Sequence, residues 1–269
     1  MKKNIKKVSK AEYYLKRYLK VTPLSLALQR AVEAKFISSV DFIRPILDIG
    51  CGFGEFGAVF FEDQIEMGVD LNSKELTVAA KTNRYKNLLY ADAKKLPFED
   101  KSFASIISVS TLEHIDEVDR VFREAYRILK PDGCLAFTVV TDKWDKNICY
   151  GPLLKKIGFK KLGIFYTDMF NRVFKHKTLI GKNKWEEYVL RAGFKIEISK
   201  EIVSPRVAFF FDFFLFSAWT SQLLKFITGK RVVFRPKFMV DLLVKLFLKD
   251  IEEEKDGTNL FVVARKLVI

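Results

Sequence analysis

The sequence has few of the residues that usually build disulfide frameworks and metal sites. It contains three cysteines, Cys51, Cys134 and Cys149, and only two histidines among 269 residues. An odd number of cysteines in a long chain argues against a disulfide scaffold and indicates a reducing compartment. No two cysteines have Cys-x-x-Cys spacing, so the common zinc frameworks are disfavoured and we predict no metal.

An apolar leader segment is also missing from the start of the sequence. The first ten residues, MKKNIKKVSK, are basic and lead into further charged sequence. We therefore predict no secretory signal and a cytoplasmic location. Because 49% of the residues are apolar, the chain can bury a full core without covalent staples. Its length predicts one large domain, or one domain with an appendage.

Positive charge is concentrated in the second half of the chain. Residues 1–140 hold 22 Lys or Arg and 19 Asp or Glu, whereas residues 141–269 hold 25 and 14. The second half therefore contributes +11 of the net charge of +14. A basic surface suits acidic partners such as nucleic acid, anionic lipid or a phosphorylated substrate. A lysine-rich genome composition is the alternative explanation for the total, but it does not explain the asymmetry.

Between residues 45 and 140, short apolar runs alternate with helical segments. The apolar runs are Ile46–Ile49, Ile65–Leu71, Asn87–Tyr90, Ala104–Val109 and Cys134–Val140. The helical segments are Glu55–Phe61, Ser73–Thr82 and Ile115–Leu129. This alternation is typical of βαβ units that form a parallel sheet covered on both faces. We therefore predict an α/β, Rossmann-like fold.

The flanking regions are less regular. Residues 8–40 are predicted to be helical, with Thr22 as a cap and Pro23 at a first helical position. Residues 142–182 are basic and aromatic and show no clean period. Three later elements are predicted: helix Lys184–Ala192, strand Phe194–Glu201 and a final strand, Leu260–Lys266.

The loop after the first predicted strand is the most informative segment. Residues 46–57, ILDIGCGFGEFG, run from an apolar strand through alternate glycines into a helix. Glycines permit a tight turn, and a helix N-terminus offers N–H donors to a ligand. We therefore expect this loop to bind a cofactor, with these candidate residues: Asp48, Gly50, Cys51, Gly52 and Gly54.

Two ligands fit this loop. Residues 52–57 match the dinucleotide pattern G-x-G-x-x-G, with Asp70 near the expected distance downstream. Asp48, however, fits poorly beside a pyrophosphate and suits a cationic group such as the ammonium of S-adenosylmethionine. Asp70 would accept hydrogen bonds from ribose hydroxyls in either case. Asp92, after the third strand, would accept from the adenine amino group, with a simple Asx turn as the alternative.

Five segments in the right order resemble class I S-adenosylmethionine-dependent methyltransferases, in the broad type 11 branch that includes quinone-biosynthesis enzymes. The segments are 47–54, 69–70, 91–104, 112–115 and 127–135. The departures are small: Ala104 stands where the family usually has Asp, and Asp132 where it often has Gly. The resemblance implies a seven-stranded, mostly parallel sheet with helices on both faces and one antiparallel strand near the C-terminus.

The resemblance also implies S-adenosyl-L-methionine as cofactor and in-line methyl transfer. It places Asp48 and the glycines at the methionine end of the cofactor. The other expected cofactor contacts are Asp70, Leu71, Asp92, Ala93 and Ser108. A base is needed only when the methyl acceptor arrives protonated. His114 is the candidate base, with packing as its alternative role, and His176 is a possible substrate contact or a surface residue. Asp116 is predicted to cap the next helix.

The resemblance divides the chain into five regions. They are a helical cap 1–40, a cofactor-binding core 41–141, a substrate lid 142–182, the end of the sheet 183–201 with 258–269, and an apolar helical insertion 202–257. Residues 8–40 and 142–182 are expected to cover the methyl group. Four tyrosines would line this cover, or else serve as core aromatics: Tyr13, Tyr14, Tyr150 and Tyr166.

The substrate is predicted to be a small, hydrophobic or lipid-linked molecule. Base-amino methyltransferases carry an Asn/Asp-Pro-Pro-aromatic tetrapeptide after strand four, but residues 108–111 here read SVST, which disfavours nucleic acid. The oligomeric state stays open. An NAD-dependent oxidoreductase and a methyltransferase-like binding module without catalysis are the alternatives.

The apolar insertion is predicted to attach the protein to an anionic membrane surface. Val207–Ile227 is long enough to span a bilayer, but its charged residues make spanning costly. The second segment, Phe238–Leu248, is apolar except at every fourth position. Its polar stripe consists of Lys237, Asp241, Lys245 and Lys249. With the basic turn 230–237, an interfacial helical pair is the expectation, and a buried lid or a dimer interface is the alternative.

Overall fold

A computed structural model describes residues 8–215, 235–254 and 257–267. The strands are β1 Ile46–Ile49, β2 Ile65–Asp70, β3 Tyr85–Tyr90, β4 Phe103–Val109, β5 Leu129–Val140, β6 Phe194–Ile202 and β7 Asn259–Lys266. The first helices are α1 Lys10–Tyr18, α2 Leu24–Ile37, α3 Glu55–Phe60, α4 Ser73–Ala80 and α5 Val118–Ile128. The later helices are α6 Trp144–Asn147, α7 Tyr150–Lys156, α8 Lys160–Phe174, α9 Lys182–Arg191, α10 Pro205–Phe213 and α11 Lys237–Glu252.

The seven strands form one sheet in the order β3-β2-β1-β4-β5-β7-β6. Strands β1 to β5 pair in parallel, whereas β7 is antiparallel to both of its neighbours. The predicted mostly parallel sheet, with the antiparallel strand near the C-terminus, is confirmed. All four residues of β1 are buried, because helices cover both faces of the sheet. The carboxyl ends of β1 to β4 meet at one edge, where an open α/β sheet binds its ligands.

The two N-terminal helices are part of the hydrophobic core. The buried side chains of α1 are Ala11, Tyr14, Leu15 and Tyr18. The apolar ones of α2 are Ala27, Leu28, Ala31, Val32, Ala34 and Ile37. Helix α1 packs on α2 and α11, and α2 contacts β5, β7 and α10. Removing α1 would therefore expose core side chains as well as open one side of the molecule.

Two of the predicted helix caps are wrong. Pro23, not Thr22, is the N-cap of α2, and the Thr22 hydroxyl donates to the Tyr18 carbonyl. Asp116 does not cap α5, because its carboxylate pairs with Lys177 at 2.6 Å. Glu117 occupies the cap position instead, with a left-handed backbone and no capping side-chain hydrogen bond. In both cases the side chain contacts another residue, Tyr18 or Lys177, and the local sequence does not reveal this contact.

Residues 142–182, which show no clean period, contain the three helices α6, α7 and α8. Helices α6 and α7 are short, so each contains too few residues to show a helical period in the sequence. The longer helix, α8, carries apolar residues on more than one side, which blurs the 3.6-residue signal. An apolar residue on such a helix therefore does not by itself mark the buried face.

The helical insertion before the last strand is visible at both of its ends. Val207, Ala208 and Phe211 of α10 are buried against the core. Helix α11 buries Val240 and Val244 and packs on α1 and α2. Its predicted polar stripe is exposed. Most of the predicted apolar segment Val207–Ile227, and the turn before residue 235, lie outside the described residues. In the described parts of the chain, no helix combines the length and apolarity needed to cross a bilayer.

Candidate functional site

The glycine loop between β1 and α3 has a backbone that requires glycine. Gly50, Gly52 and Gly54 all have positive φ, at 74°, 52° and 72°. A Cβ atom on Gly50 would lie 2.0 Å from Thr111 Cγ2, so no larger residue fits there. The Thr111 hydroxyl donates to the Gly50 carbonyl at 3.2 Å. The loop after β4 therefore covers the glycine loop directly.

Asp48 lies buried beneath this loop, with 3% of its surface exposed. The Tyr85 hydroxyl donates to its Oδ2 at 2.8 Å. Burial raises the pKa of Asp48 to about 7, and the Tyr85 hydrogen bond partly offsets this rise. The carboxyl group is therefore poised between its neutral and ionised forms near neutral pH. A cation bound nearby would favour the ionised form.

Asp70 connects the ends of β1 and β2. Its Oδ2 accepts from the Gly52 N–H, and its Oδ1 accepts from the Asn72 N–H, each at 2.8 Å. The side chain of Asn72 caps α4, so Asp70 is not needed as the cap. Asp70 is only half-buried, and each of its oxygens has a second lone pair for a ligand hydroxyl. Leu71, next to it, is exposed.

The residues predicted to meet the adenine lie at the end of β3. Asp92 Oδ1 accepts from the Lys94 N–H at 2.9 Å, which is the Asx turn considered as the alternative. The Asp92 side chain is 40% exposed, so the turn leaves part of the carboxylate accessible. Ala93 is buried. The Asx turn and an adenine contact are compatible, because the turn uses one oxygen.

Ser108 and Cys51 are both buried. The Ser108 hydroxyl is buried and donates to the Ile49 carbonyl at 2.9 Å, joining β4 to β1 under the loop. The Cys51 thiol is buried and unbonded to another cysteine, and burial raises its pKa. Both side chains therefore support the loop from below.

A buried polar cluster stands at the carboxyl end of β4. Glu33 of α2 is fully buried, and its Oε1 accepts from the Ser110 hydroxyl at 2.5 Å and from Thr138 at 3.3 Å. Arg30 pairs with the other oxygen at 2.7 Å. Glu113 is also fully buried, and burial raises its pKa to about 8. The cluster holds α2 against the carboxyl end of β4.

The two histidines come together at the same edge. The His114 and His176 rings stack with centroids 5.4 Å apart. Asn171 donates its amide N–H to the Asp145 carboxylate and presents its carbonyl oxygen to His176 Nδ1 at 2.9 Å. His176 Nδ1 therefore donates, which leaves Nε2 as an acceptor. Burial lowers the pKa of both rings, that of His176 to about 4, so both are neutral near pH 7.

The four tyrosines expected to line the cover lie in two groups. Tyr14 is buried and stacks on Phe60, whereas Tyr13 is 40% exposed beside it. Tyr150 and Tyr166 contact edge to face at 5.7 Å. Tyr14 is thus a core aromatic, as the alternative interpretation held. Tyr166 donates its hydroxyl to the buried Asp212 of α10, which also accepts from the Tyr150 N–H.

Sequence reasoning missed Tyr85 and the Glu33 cluster. The predicted third strand began at Asn87, so Tyr85 was left outside it. A Cβ on Gly57 or Gly68 would lie within 3.0 Å of the Tyr85 ring, so those glycines make room for it. The available signal for Glu33 was a charged pair, Arg30 and Glu33, in the middle of a largely apolar helix.

Comparisons with known proteins agree with this geometry. Residues 47–137 match the methyltransferase domain family. A sterol 24-C-methyltransferase of Clavispora lusitaniae is 27% identical over 167 residues, covering 58% of this chain and 41% of the relative. A demethylmenaquinone methyltransferase of Lactobacillus johnsonii is 32% identical over 126 residues, covering 41% and 50%. The chain spans about half the length of the curated relatives it matches.

A solved structure extends the likeness to most of the chain. It is an S-adenosylmethionine-dependent methyltransferase of Thermotoga maritima, described as a possible histamine N-methyltransferase. It superposes with a TM-score of 0.55 at 19% identity, covering 90% of this chain and 91% of that one. This likeness concerns the fold, whereas the domain match and the motifs concern the cofactor site. Residues 47–137 therefore form a methyltransferase domain of the class I S-adenosylmethionine-dependent type.

Proposed function

We propose that this protein transfers a methyl group from S-adenosylmethionine to a small, hydrophobic or lipid-linked acceptor. The observation that carries the proposal is the edge where β1, β2 and β3 end. There the glycine loop, Asp70 and Asp92 lie in the same order as the methionine, ribose and adenine parts of the proposed cofactor. Asp48 is proposed at the methionine end, Asp70 and Leu71 at the ribose.

The remaining cofactor contacts follow from the same placement. Gly50, Gly52 and Gly54 would let the cofactor lie against bare backbone, while Asp92 and Ala93 would meet the adenine. Cys51 and Ser108 would act from beneath the loop, by fixing its shape. In-line displacement at a sulfonium needs alignment above all, so the protein's main contribution is to hold both reactants and exclude water.

His114 is proposed as the base for acceptors that arrive protonated. The backbone N–H of His114 donates to the Thr111 carbonyl at 3.0 Å, and Thr111 covers the glycine loop. Through Thr111, His114 is therefore linked to the glycine loop where the cofactor is proposed to bind. Its Nδ1 contacts the Lys175 carbonyl at 3.3 Å, which makes Nδ1 the protonated nitrogen and leaves Nε2 as the proton acceptor.

A hydrophobic acceptor is supported by two further observations. The relatives named above are a sterol and a menaquinone-precursor methyltransferase, both of which handle apolar molecules. The described helices outside the core sheet expose many large apolar side chains.

We further propose that the chain is divided into the five regions given above. We also propose a cytoplasmic location and a contact of residues 202–250 with an anionic membrane.

Thermal stabilisation separates this function from its alternatives. S-adenosylmethionine and NAD are each added to the full chain, and the melting temperature is compared with that of the protein alone. The proposal expects stabilisation by S-adenosylmethionine, and stabilisation by NAD alone would favour an oxidoreductase. Transfer of a radiolabelled methyl group into a lipid extract then tests catalysis. Cofactor binding without any transfer, across water-soluble and lipid acceptors, would favour a binding module.

A further inference from the structure

Helix α8 carries two apolar stripes, and only one of them is covered. The buried stripe consists of Gly163, Thr167 and Phe170. The second stripe consists of Leu162, Phe165, Met169 and Val173, which recur at helical spacing on one face. These four side chains are 43% to 67% exposed. A helix that is apolar on both sides normally has a partner on both, and in the described parts of the chain the second stripe has none.

Helix α7 and its connection to α8 carry further exposed apolar side chains. Leu153, Ile157 and Phe159 are 48% to 60% exposed. Helices α7 and α8 are joined closely, because a Cβ on Gly163 would lie only 2.6 Å from the Gly151 carbonyl oxygen. The two helices therefore form one compact hairpin, residues 150–174. At this point of closest approach, the two helices leave no room for a side chain between them.

The same hairpin has a strongly positive border. Residues 150–175 hold six cations and one acidic residue: Lys155, Lys156, Lys160, Lys161, Arg172, Lys175 and Asp168. Asp145 of α6 lies beside the hairpin and accepts from the side chain of Asn171. Within the part of the chain that the structure describes, none of these six cations has a carboxylate oxygen within 4.0 Å. By contrast, Lys177 and Lys143 nearby are both paired. The hairpin thus combines exposed apolar side chains with an excess of positive charge.

We propose that the α7–α8 hairpin docks on the surface of a bilayer that contains anionic phospholipid. The apolar stripe would enter the boundary between headgroups and acyl chains, and the cations would meet the lipid phosphates. A second copy of the chain is a poorer occupant, because a symmetric contact would bring two sets of like charges together. Nucleic acid would satisfy the cations but leave the apolar stripe exposed to water.

The hairpin contacts α10 through two tyrosines and approaches the proposed site through His176. Tyr150 and Tyr166 hold it to Asp212 of α10, and His176, two residues after α8 ends, stacks on His114. Docking this face would therefore bring the proposed acceptor side of the enzyme to the lipid. The surface is distinct from α11, where the earlier membrane proposal has its polar stripe. Lipid binding does not depend on methyl transfer, so the two proposals can fail separately.

Vesicle flotation with the full chain tests the inference. Vesicles of phosphatidylcholine with phosphatidylglycerol are compared with vesicles of phosphatidylcholine alone. The protein is expected to float only with the anionic vesicles. A Phe165→Ser, Val173→Ser double variant should bind at least about tenfold more weakly. A Lys160→Glu, Lys161→Glu double variant should lose about 100-fold or more, because each lost or reversed charge near the surface changes binding several-fold.

Matched controls change equally exposed residues elsewhere. Ile43 is 62% exposed just before β1, at the opposite edge of the sheet, and Lys195 is exposed on the edge strand β6. Ile43→Ser and Lys195→Glu should float like the wild type. Circular dichroism and S-adenosylmethionine affinity confirm that each variant is folded, so loss of flotation with retained cofactor binding supports the hairpin.

Three results would overturn the inference. The first is wild-type flotation by both hairpin variants while Leu242→Ser with Leu246→Ser on α11 abolishes it, which would assign the membrane contact to α11. The second is the absence of flotation for the wild type with either vesicle. The third is a wild-type dimer in light scattering that the Phe165→Ser, Val173→Ser variant converts to a monomer, which would make the stripe an interface between copies.

Discussion

Replacing Asp48 by Asn is expected to remove a large part of the pH dependence of stability. The pKa of the buried Asp48 is about 7, against an ordinary value of 3.8. Between these values the folded protein keeps a proton that the unfolded chain releases. Stability from this group is therefore fully present below the unfolded pKa and is lost as the pH rises through the folded pKa. From about pH 5 to about pH 8 the loss is roughly 2–3 kcal/mol.

Asparagine keeps the shape of the side chain and can still accept the Tyr85 hydrogen bond, but it does not titrate. The free energy of unfolding of Asp48→Asn should therefore fall by roughly 2–3 kcal/mol less over this pH range than that of the wild type. Urea denaturation followed by circular dichroism at both pH values measures the difference. Glu113, whose pKa is about 8 for the same reason, titrates in both proteins and cancels.

The same variant tests whether Asp48 faces the cofactor. A cation bound near Asp48 favours its ionised form, so wild-type affinity for S-adenosylmethionine should rise up to about tenfold from about pH 6 to about pH 8. The variant should lack this rise, and titration of the ligand itself is common to both proteins. Equal pH dependence of stability in the two proteins would refute the burial argument. Equal pH dependence of affinity would refute the placement beside the cofactor.

Four further changes test other parts of the site. Asp70→Ala should weaken S-adenosylmethionine binding in calorimetry by at least about tenfold, since it removes the ribose acceptor and frees the Gly52 N–H; unchanged affinity would contradict the assignment. His114→Gln should lower turnover about 100-fold with cofactor affinity intact, and a wild-type rate would assign the ring to packing. Glu33→Ala leaves Arg30 buried without its partner and should cost about 3–5 kcal/mol in urea denaturation; a loss well under 1 kcal/mol would argue against the cluster as a structural centre. Deleting residues 1–21 should lower the melting temperature as well as turnover, because α1 is part of the core, and a truncated protein with wild-type melting would contradict that packing.

Much of the fold follows from local pattern. The apolar runs of β1 to β4 were placed within two residues, because buried strands are rich in apolar residues. Strand β5 ends at Val140 as predicted but begins at Leu129, five residues before the predicted start. Errors concentrate at boundaries and caps. Thr22 and Asp116 have the right chemistry for an N-cap, yet each side chain has another partner, Tyr18 and Lys177. A cap competes with tertiary contacts that sequence spacing does not record.

The residues of the proposed site also separate into those that local sequence predicts and those that depend on tertiary packing. Asp48, the three glycines, Asp70 and Asp92 were predicted from sequence because each ends or follows a strand in a recognisable order. The partners of these residues were not found. Tyr85 reaches Asp48 across 37 residues, and Glu33 reaches Ser110 across 77. Such pairs depend on how the elements pack, and no local period encodes them.

The sequence by itself determined the α/β class, the approximate positions of strands β1 to β5 and the glycine loop after β1, because these rest on short-range apolar periodicity and on glycines whose backbone adopts positive φ. Only the tertiary structure decided which apolar side chains are covered. On α8 both stripes look alike in sequence, yet Phe170 is buried and Phe165 is exposed. The reason is physical: burial depends on whether another element packs against that face, which the chain establishes only when distant segments meet.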